Sequence, residues 1–256
     1  MKFPRALLFD IGNTRLKWGL AENGKIRRTG SINHERLREQ GFAALTTRLP
    51  AKVDAVLASN VAGQTFATRL SGVISLHCDC DMHFARSAAS GFGVTNSYRQ
   101  ARRLGVDRWA AMIGVHAQIR KAVCIVDAGT AVTIDALDKS GQHLGGQILP
   151  GVRLMTDALT RDTSDLPAVK RAPPQSHGAL PGFVNSTGSA IYTGSMAAVC
   201  GAIEKAVHSM RSAGYRPALV LTGGDASRIL PLLNAPAEHR PNLVLEGLAI
   251  MIEGKP

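Results

Sequence analysis

The sequence predicts an α/β chain assembled from two like domains, and three observations carry that prediction. The first is an internal echo. Residues 6–26 read ALLFDIGNTRLKWGLAENGKI and residues 123–143 read VCIVDAGTAVTIDALDKSGQH. Laid over one another, Asp10 falls on Asp127, Gly12 on Gly129 and Gly24 on Gly141. The second is that helical and strand-like apolar periods alternate after each copy, the signature of mixed sheets flanked by helices. The third is composition. The 256 residues are 45% hydrophobic and 5% aromatic, enough apolar content to exclude disorder and enough length for two domains. The boundary is expected near the middle, with one domain over 1–115 and the other over 116–256.

Each element follows from local chemistry. Both copies open on an apolar β-type run, reach Asp-x-Gly, and continue into a second strand. Asn23-Gly24 then predicts a tight hairpin, because both residue types tolerate positive φ. Asp138–Gly141 is a longer turn of the same kind. Third strands are expected near Lys25–Ser31 and Gln142–Leu149. His34–Arg48 carries Leu37, Phe42, Ala43 and Leu45 at helical spacing, and Val53–Ala58 reads as a buried strand. A helix from about Gly63 to Leu70 is followed by an expected strand at Val73–Leu76. Trp109–Arg120 reads as helix. In the second half, Thr193–Ser212 is a long helix closed by Gly214. Ala218–Leu221 is a strand ending at Thr222-Gly223-Gly224, and Ser227–Leu233 and Leu243–Met251 are helices. The Pro-rich stretch Asp162–Gly182 is expected to be a loop or lid.

Composition also bounds function. The four Cys cannot make a disulfide scaffold, and no apolar run reaches the length of a membrane span. The apolar run after MKFPR stops at Asp10, too soon for a signal peptide. A cytoplasmic protein that does not engage a membrane is the expectation. The formal net charge of +11 suits nucleic acid, anionic small molecules or a solvated surface alike. Arg99, Arg102, Arg103 and Arg108 cluster, but no zinc-finger spacing, aromatic RNA-binding signature or basic arm accompanies them, which disfavours nucleic acid.

The chemical candidates begin at the first hairpin. In Asp10-Ile11-Gly12-Asn13-Thr14 the glycine lets a phosphate approach backbone N–H groups, Asn13 and Thr14 add donors, and Asp10 can hold a hydrated cation. Lys17 lies within reach of a phosphate oxygen. A lone Asp-Gly hairpin would be structural, but Asp127-Ala128-Gly129-Thr130 repeats the chemistry, and two such turns suit a nucleotide held in a cleft between domains. Other nucleotide signatures fail. Gly19–Lys25 has Walker spacing, yet Ile26 replaces the Ser/Thr and the segment is a hairpin. No G-x-G-x-x-G follows a strand. Thr222-Gly223-Gly224-Asp225 could lay backbone against an adenine or ribose, or be a plain strand-to-helix turn. In Gly105-Val106-Asp107-Arg108, Asp107 can accept a hydroxyl proton and Arg108 can bind an anion, or both can serve a helix start. His77, Cys78, Cys80 and His83 form a metal-like run without a second Cys pair, left open between a zinc or copper site and a polar loop. No G-x-S-x-G supports a hydrolase.

Taken together, DIGNTRLKWGL (10–20), GVDRWAA (105–111), DAGTAVTID (127–135), GGQILPG (145–151) and STGSA (186–190) resemble the type III pantothenate kinases of the acetate and sugar kinase, chaperone and actin superfamily. The resemblance implies two ribonuclease-H-like (actin-like) domains. It implies ATP-dependent phosphorylation of the terminal hydroxyl of pantothenate, the first step towards coenzyme A. On this chain it implies that Asp10, Ile11, Gly12, Asn13, Thr14, Arg15, Leu16 and Lys17 form the ATP phosphate loop and that Thr130 contacts ATP. It implies Asp107 as general base and a pantothenate pocket of Tyr98, Gly105, Val106, Asp107, Arg108 and Thr187. Asp127 would ligate a monovalent cation, K⁺ or NH₄⁺, with Mg²⁺ accompanying the nucleotide, in a homodimer. The family commonly carries Pro three residues after the pocket Tyr, where this chain has Ala101.

Overall fold

A computed structural model describes residues 3–161 and 182–254; the expected loop or lid at Asp162–Gly182 lies almost wholly outside them. In chain order the elements are β1 (Arg5–Ile11), β2 (Arg15–Glu22), β3 (Lys25–Asn33), α1 (His34–Gln40), α2 (Ala43–Thr46), β4 (Ala55–Asn60), α3 (Gln64–Cys78), β5 (Met82–Phe84), the short β6 (Ser90–Gly91) and β7 (Val94–Thr95), a 3₁₀ turn at Ala101–Arg103, and α4 (Val106–His116). There follow β8 (Val123–Ala128), β9 (Ala131–Leu137), β10 (His143–Pro150), α5 (Val152–Arg161), α6 (Thr187–Ser212), β11 (Ala218–Thr222), α7 (Ala226–Ile229) with a 3₁₀ turn at Leu230–Leu232, β12 (Ala237–His239) and α8 (Leu243–Ile252).

The echo is visible as topology. One sheet runs β3-β2-β1-β4-β5 and the other β10-β9-β8-β11-β12, the same order built from corresponding strands. In the first, β2 is antiparallel to β1 and β3, while β4 is parallel to β1 and β5 to β4. In the second, β11 runs parallel to β8 and β12 parallel to β11. The central strands are nearly all buried, as strands covered on both faces must be.

Two compact units result. The first gathers Met1–Lys121, Leu137–Gly145 and Asn242–Pro256; the second gathers Ala122–Ala136 and Gly146–Pro241. In the first, one sheet face carries Leu7, Phe9, Ile11, Val56 and Ala58 into a core with Leu37, Leu45, Leu70 and Ile74. Helix α8 packs on α4, β1 and β4. In the second, Cys124, Val126, Val132, Ile134, Leu219 and Leu221 pack with Val199, Ile203 and Val207 of α6. Burial, aided by the neighbouring Asp135 charge, pushes the Cys124 thiol up to about 12, so it is a small hydrophobe there.

Several expectations are corrected. Val73–Leu76 is not a strand but the third turn of α3. Ala67, Leu70, Ile74 and Cys78 are its buried residues, spaced three and four apart, while Leu76 is 90% exposed. A four-residue apolar run looks alike in both periods, and the longer pattern decides. The helix expected over His34–Arg48 breaks at Gly41, whose φ of 69° ends α1. Helix α6 begins at Thr187 rather than Thr193, because Ser186 caps it by accepting from the Ser189 N–H at 3.4 Å. Only one turn of α-helix forms after Thr222-Gly223-Gly224, since Pro231 lies in the 3₁₀ turn that follows.

The metal-like run divides between two elements. His77 and Cys78 end α3, Asp79 caps it in the left-handed region, and His83 lies on β5. Burial and the Cys80 charge raise the Cys78 thiol. Burial raises Cys80 too, helped by Asp81, Asp54 and Asp79. Among the described residues no three His, Cys, Asp or Glu side chains are placed to hold a metal ion. Nor, among them, is any helix long and apolar enough to cross a membrane.

Candidate active site

The first Asp-Gly hairpin closes with the Gly12 N–H donating to the Arg15 carbonyl at 3.1 Å. Asn13 and Thr14 are thereby left exposed at its tip. Across the β1–β2 ladder Asp10 is the register partner of Lys17, and across β1–β4 it is the partner of Ser59. A carboxylate and an ammonium therefore lie side by side at the carboxyl end of β1. The Ser59 hydroxyl, fully buried, makes no hydrogen bond. Nothing in the sequence marked Ser59, because a serine in an apolar strand has no motif around it.

The second hairpin repeats the first one residue shorter. Gly129 N–H donates to the Ala131 carbonyl at 3.1 Å, leaving only Gly129-Thr130 between strands. A Cβ on Gly12 would crowd the Arg15 carbonyl at 3.2 Å, whereas one on Gly129 would make only ordinary contact with the Ala131 carbonyl at 3.5 Å. Asp127 is half-buried and faces Thr222 in register on β11. Gly223, at φ 96°, packs so closely that a Cβ would fall against Asp127 Oδ1 and the Ala128 carbonyl. The Thr-Gly-Gly segment thus has a packing reason at Gly223, whereas Gly224 faces open space. Gly151, last of the GGQILPG motif, donates its N–H to the Thr130 carbonyl at 2.9 Å, and a Cβ there would strike the Gly129 and Thr130 backbone.

Asp107 sits in the first turn of α4, where a carboxylate complements the helix dipole. Its Oδ1 accepts from the Arg108 N–H at 2.8 Å, supplying the cap that Gly105 cannot. A Cβ on Gly105 would lie 2.5 Å from that same oxygen, so the glycine of Gly105-Val106-Asp107-Arg108 makes room for the carboxylate. Arg108 is only 5% exposed. Its Nη1 donates to the Tyr98 hydroxyl at 2.9 Å, and its guanidinium carbon lies 5.5 Å from the Tyr98 ring centroid. Tyr98, Gly105, Val106, Asp107 and Arg108 are thus joined in one unit with the Asp10–Lys17 hairpin. Asp127, Thr130 and Thr187, the exposed first residue of α6, belong to the other unit.

The first-unit cluster has one member that sequence reading missed. His143, 1% exposed, hydrogen-bonds Ser97 Oγ through Nδ1 at 3.1 Å and stacks near-parallel to Tyr98 at 6.0 Å. The signal available was faint: a histidine opening the third strand of the second echo.

A twice-built sheet of this order, with an Asp-Gly hairpin in each copy, is the actin-like α/β fold. Solved structures share the fold. A Campylobacter jejuni protein assigned to a Baf family of transcriptional activators aligns with TM-score 0.61 at 20% identity, covering 96% of this chain and 98% of that one. A 2-dehydro-3-deoxygalactonokinase-type protein from Sinorhizobium meliloti aligns with TM-score 0.58 at 13% identity over the same shares. Sequence narrows the class. The profile of type III pantothenate kinases matches residues 6–209. The type III pantothenate kinase of Thiobacillus denitrificans is 37% identical over 243 residues, 94% of each chain. This chain belongs to the type III pantothenate kinase family and is an enzyme, a kinase.

Proposed function

We propose that the chain transfers the γ-phosphoryl group of ATP to the terminal hydroxyl of pantothenate, with Asp107 as general base and a monovalent cation at Asp127. The observation that carries this reading is the head of α4, where a half-buried carboxylate adjoins a buried guanidinium anchored on a tyrosine. A carboxylate there can accept the hydroxyl proton while Arg108 holds the substrate's own carboxylate, with Gly105 and Val106 beside them at the helix head. Asp10, Ile11, Gly12, Asn13, Thr14, Arg15, Leu16 and Lys17 would cradle the phosphates. Phosphoryl transfer asks for positioning and charge neutralisation more than covalent chemistry, which fits a site of hairpin tips and fixed charges.

The donor set also suits the cations. The half-buried Asp127 carboxylate supplies hard oxygen donors, of the kind that suit K⁺, NH₄⁺ or Mg²⁺. Bound there or on the nucleotide, such ions would neutralise phosphate charge. A homodimer belongs to the same reading: Ile148, Leu154 and Leu159 of the second unit expose 63%, 42% and 41% of their surface.

A coupled ADP-release assay with ATP and Mg²⁺, with and without pantothenate, in K⁺ and in Na⁺, tests the reading. ADP should appear only with pantothenate, phosphopantothenate should be found by mass spectrometry, and K⁺ should outpace Na⁺. Asp127→Ala should be slow in either salt. Pantothenate-independent ADP release would sink the substrate assignment, and equal rates in the two salts would sink the cation site.

A further inference from the structure

The pocket tyrosine stands on irregular backbone. Residues 96–100 lie between β7 and the 3₁₀ turn, where no ladder holds a ring in place. Three attachments supply what the missing ladder does not. Asn96 accepts from the Tyr98 N–H at 3.0 Å and donates to the carbonyls of Ala88 and Ala101, both at 3.1 Å. Thr95 bridges to Gln142 and donates its N–H to the Gly141 carbonyl at 2.9 Å. The third attachment is His143. It opens β10, is almost wholly buried, hydrogen-bonds Ser97 and lies 21° from parallel with the Tyr98 ring.

The Tyr98 hydroxyl in turn accepts from Arg108. A guanidinium is a planar fork whose recognition of a carboxylate depends on its plane. Whatever holds Tyr98 therefore helps to set the plane in which Arg108 presents its donors. His143 meets Ser97 and Tyr98, and Tyr98 meets Arg108, so a route from His143 to the guanidinium runs through the tyrosine.

We infer that His143 is a positioning residue for acid-substrate recognition: by holding Ser97 and Tyr98 it orients Arg108 towards the substrate carboxylate. The inference rests on the pantothenate pocket proposed above. It assigns His143 to the binding of the acid and not to the proton transfer at Asp107. Losing it should weaken acceptor binding while leaving the nucleotide and the chemical step nearly untouched.

The test is a double-mutant cycle read by calorimetric binding of pantothenate to the full chain, with steady-state kinetics beside it. His143→Ala should raise the pantothenate Kd and KM about tenfold, the size of a stacked pair and a hydrogen bond together. Its kcat should stay within about threefold and its KM for ATP should not move. On a Tyr98→Ala background the same change should cost less than about twofold, because its target is gone. His143→Phe keeps a ring and His143→Asn keeps a hydrogen-bonding group for Ser97, so each should lose less than Ala. These two also serve if the alanine variant fails to fold. An undiminished tenfold effect on the Tyr98→Ala background, an equal fall in kcat, or unchanged Kd in all three variants would overturn the inference. Parent protein that binds no pantothenate would instead overturn the reading of the pocket.

Discussion

Asp107 concentrates the residue-scale argument. Its carboxylate is fixed by the Arg108 N–H at 2.8 Å and given room by Gly105, so an isosteric change alters its proton affinity with little else. Asp107→Asn should therefore fold like the parent and bind pantothenate with similar affinity. Loss of a general base typically costs about 10²–10⁴ in rate, and kcat should fall by that much. Stopped assays on the purified variant, beside calorimetric binding, decide it. Turnover within a few-fold of the parent would leave Asp107 a helix-start residue. At this scale the sequence showed the residues with motifs around them: Asp10, Gly12, Asp127, Gly129, Asp107 and Arg108. It could not show Ser59 or His143, because a lone Ser or His in a strand acquires meaning only from what folding brings beside it.

At the scale of elements, the crossing of α4 and α8 positions the proposed base. Every residue of α4 from Arg108 to His116 is buried. The two helices meet through glycines: a Cβ on Gly247 would strike the Ala110 carbonyl, and one on Gly114 would lie 2.8 Å from the Leu243 carbonyl. Backbone cannot yield as a flexible side chain does. Gly247→Ala should destabilise by about 1–3 kcal/mol or more through overpacking. At about 2–4 °C per kcal/mol for a chain of this size, calorimetry should record a clear fall in Tm. Gly72→Ala is the matched control, since it lies within α3 with nothing near its Cβ position. It should gain about 1 kcal/mol from helix propensity. An unchanged Tm for Gly247→Ala would mean that α8 can slide on α4. The hairpins were legible because Asn23-Gly24 dictates a positive-φ turn, and the turn indeed has φ 50° and 75°. Val73–Leu76 was not, because the face of a short apolar run is chosen by tertiary burial. Nor does a sequence display the Gly247 crossing, whose partner Ala110 is far away in the chain.

For the whole molecule the question is what the +11 charge is for. The cluster that most suggested nucleic acid divides on folding. Arg108 is buried against Tyr98, while Arg99, Arg102 and Arg103 are exposed and Arg103 Nε donates to Gln100 at 3.3 Å. Elsewhere the basic excess is interrupted by acidic partners, as in Arg5–Glu22, Arg153–Asp157 and Arg228–Asp225. Three exposed arginines, two on the 3₁₀ turn and Arg99 just before it, offer too few phosphate contacts to hold a duplex against physiological salt. Each neutralised phosphate contributes a slope of about −0.9 in log affinity against log salt, so a footprint of three predicts a shallow dependence and weak binding. Specific recognition would add a preference of about 10³-fold or more for one sequence. Fluorescence anisotropy with promoter-derived and scrambled duplexes at two salt concentrations separates the cases. Binding should be weak, indifferent to sequence and gone near physiological salt, and Arg102→Ala with Arg103→Ala should flatten the slope further. Tight binding that survives salt and prefers one duplex would give this kinase a second, nucleic-acid-directed role.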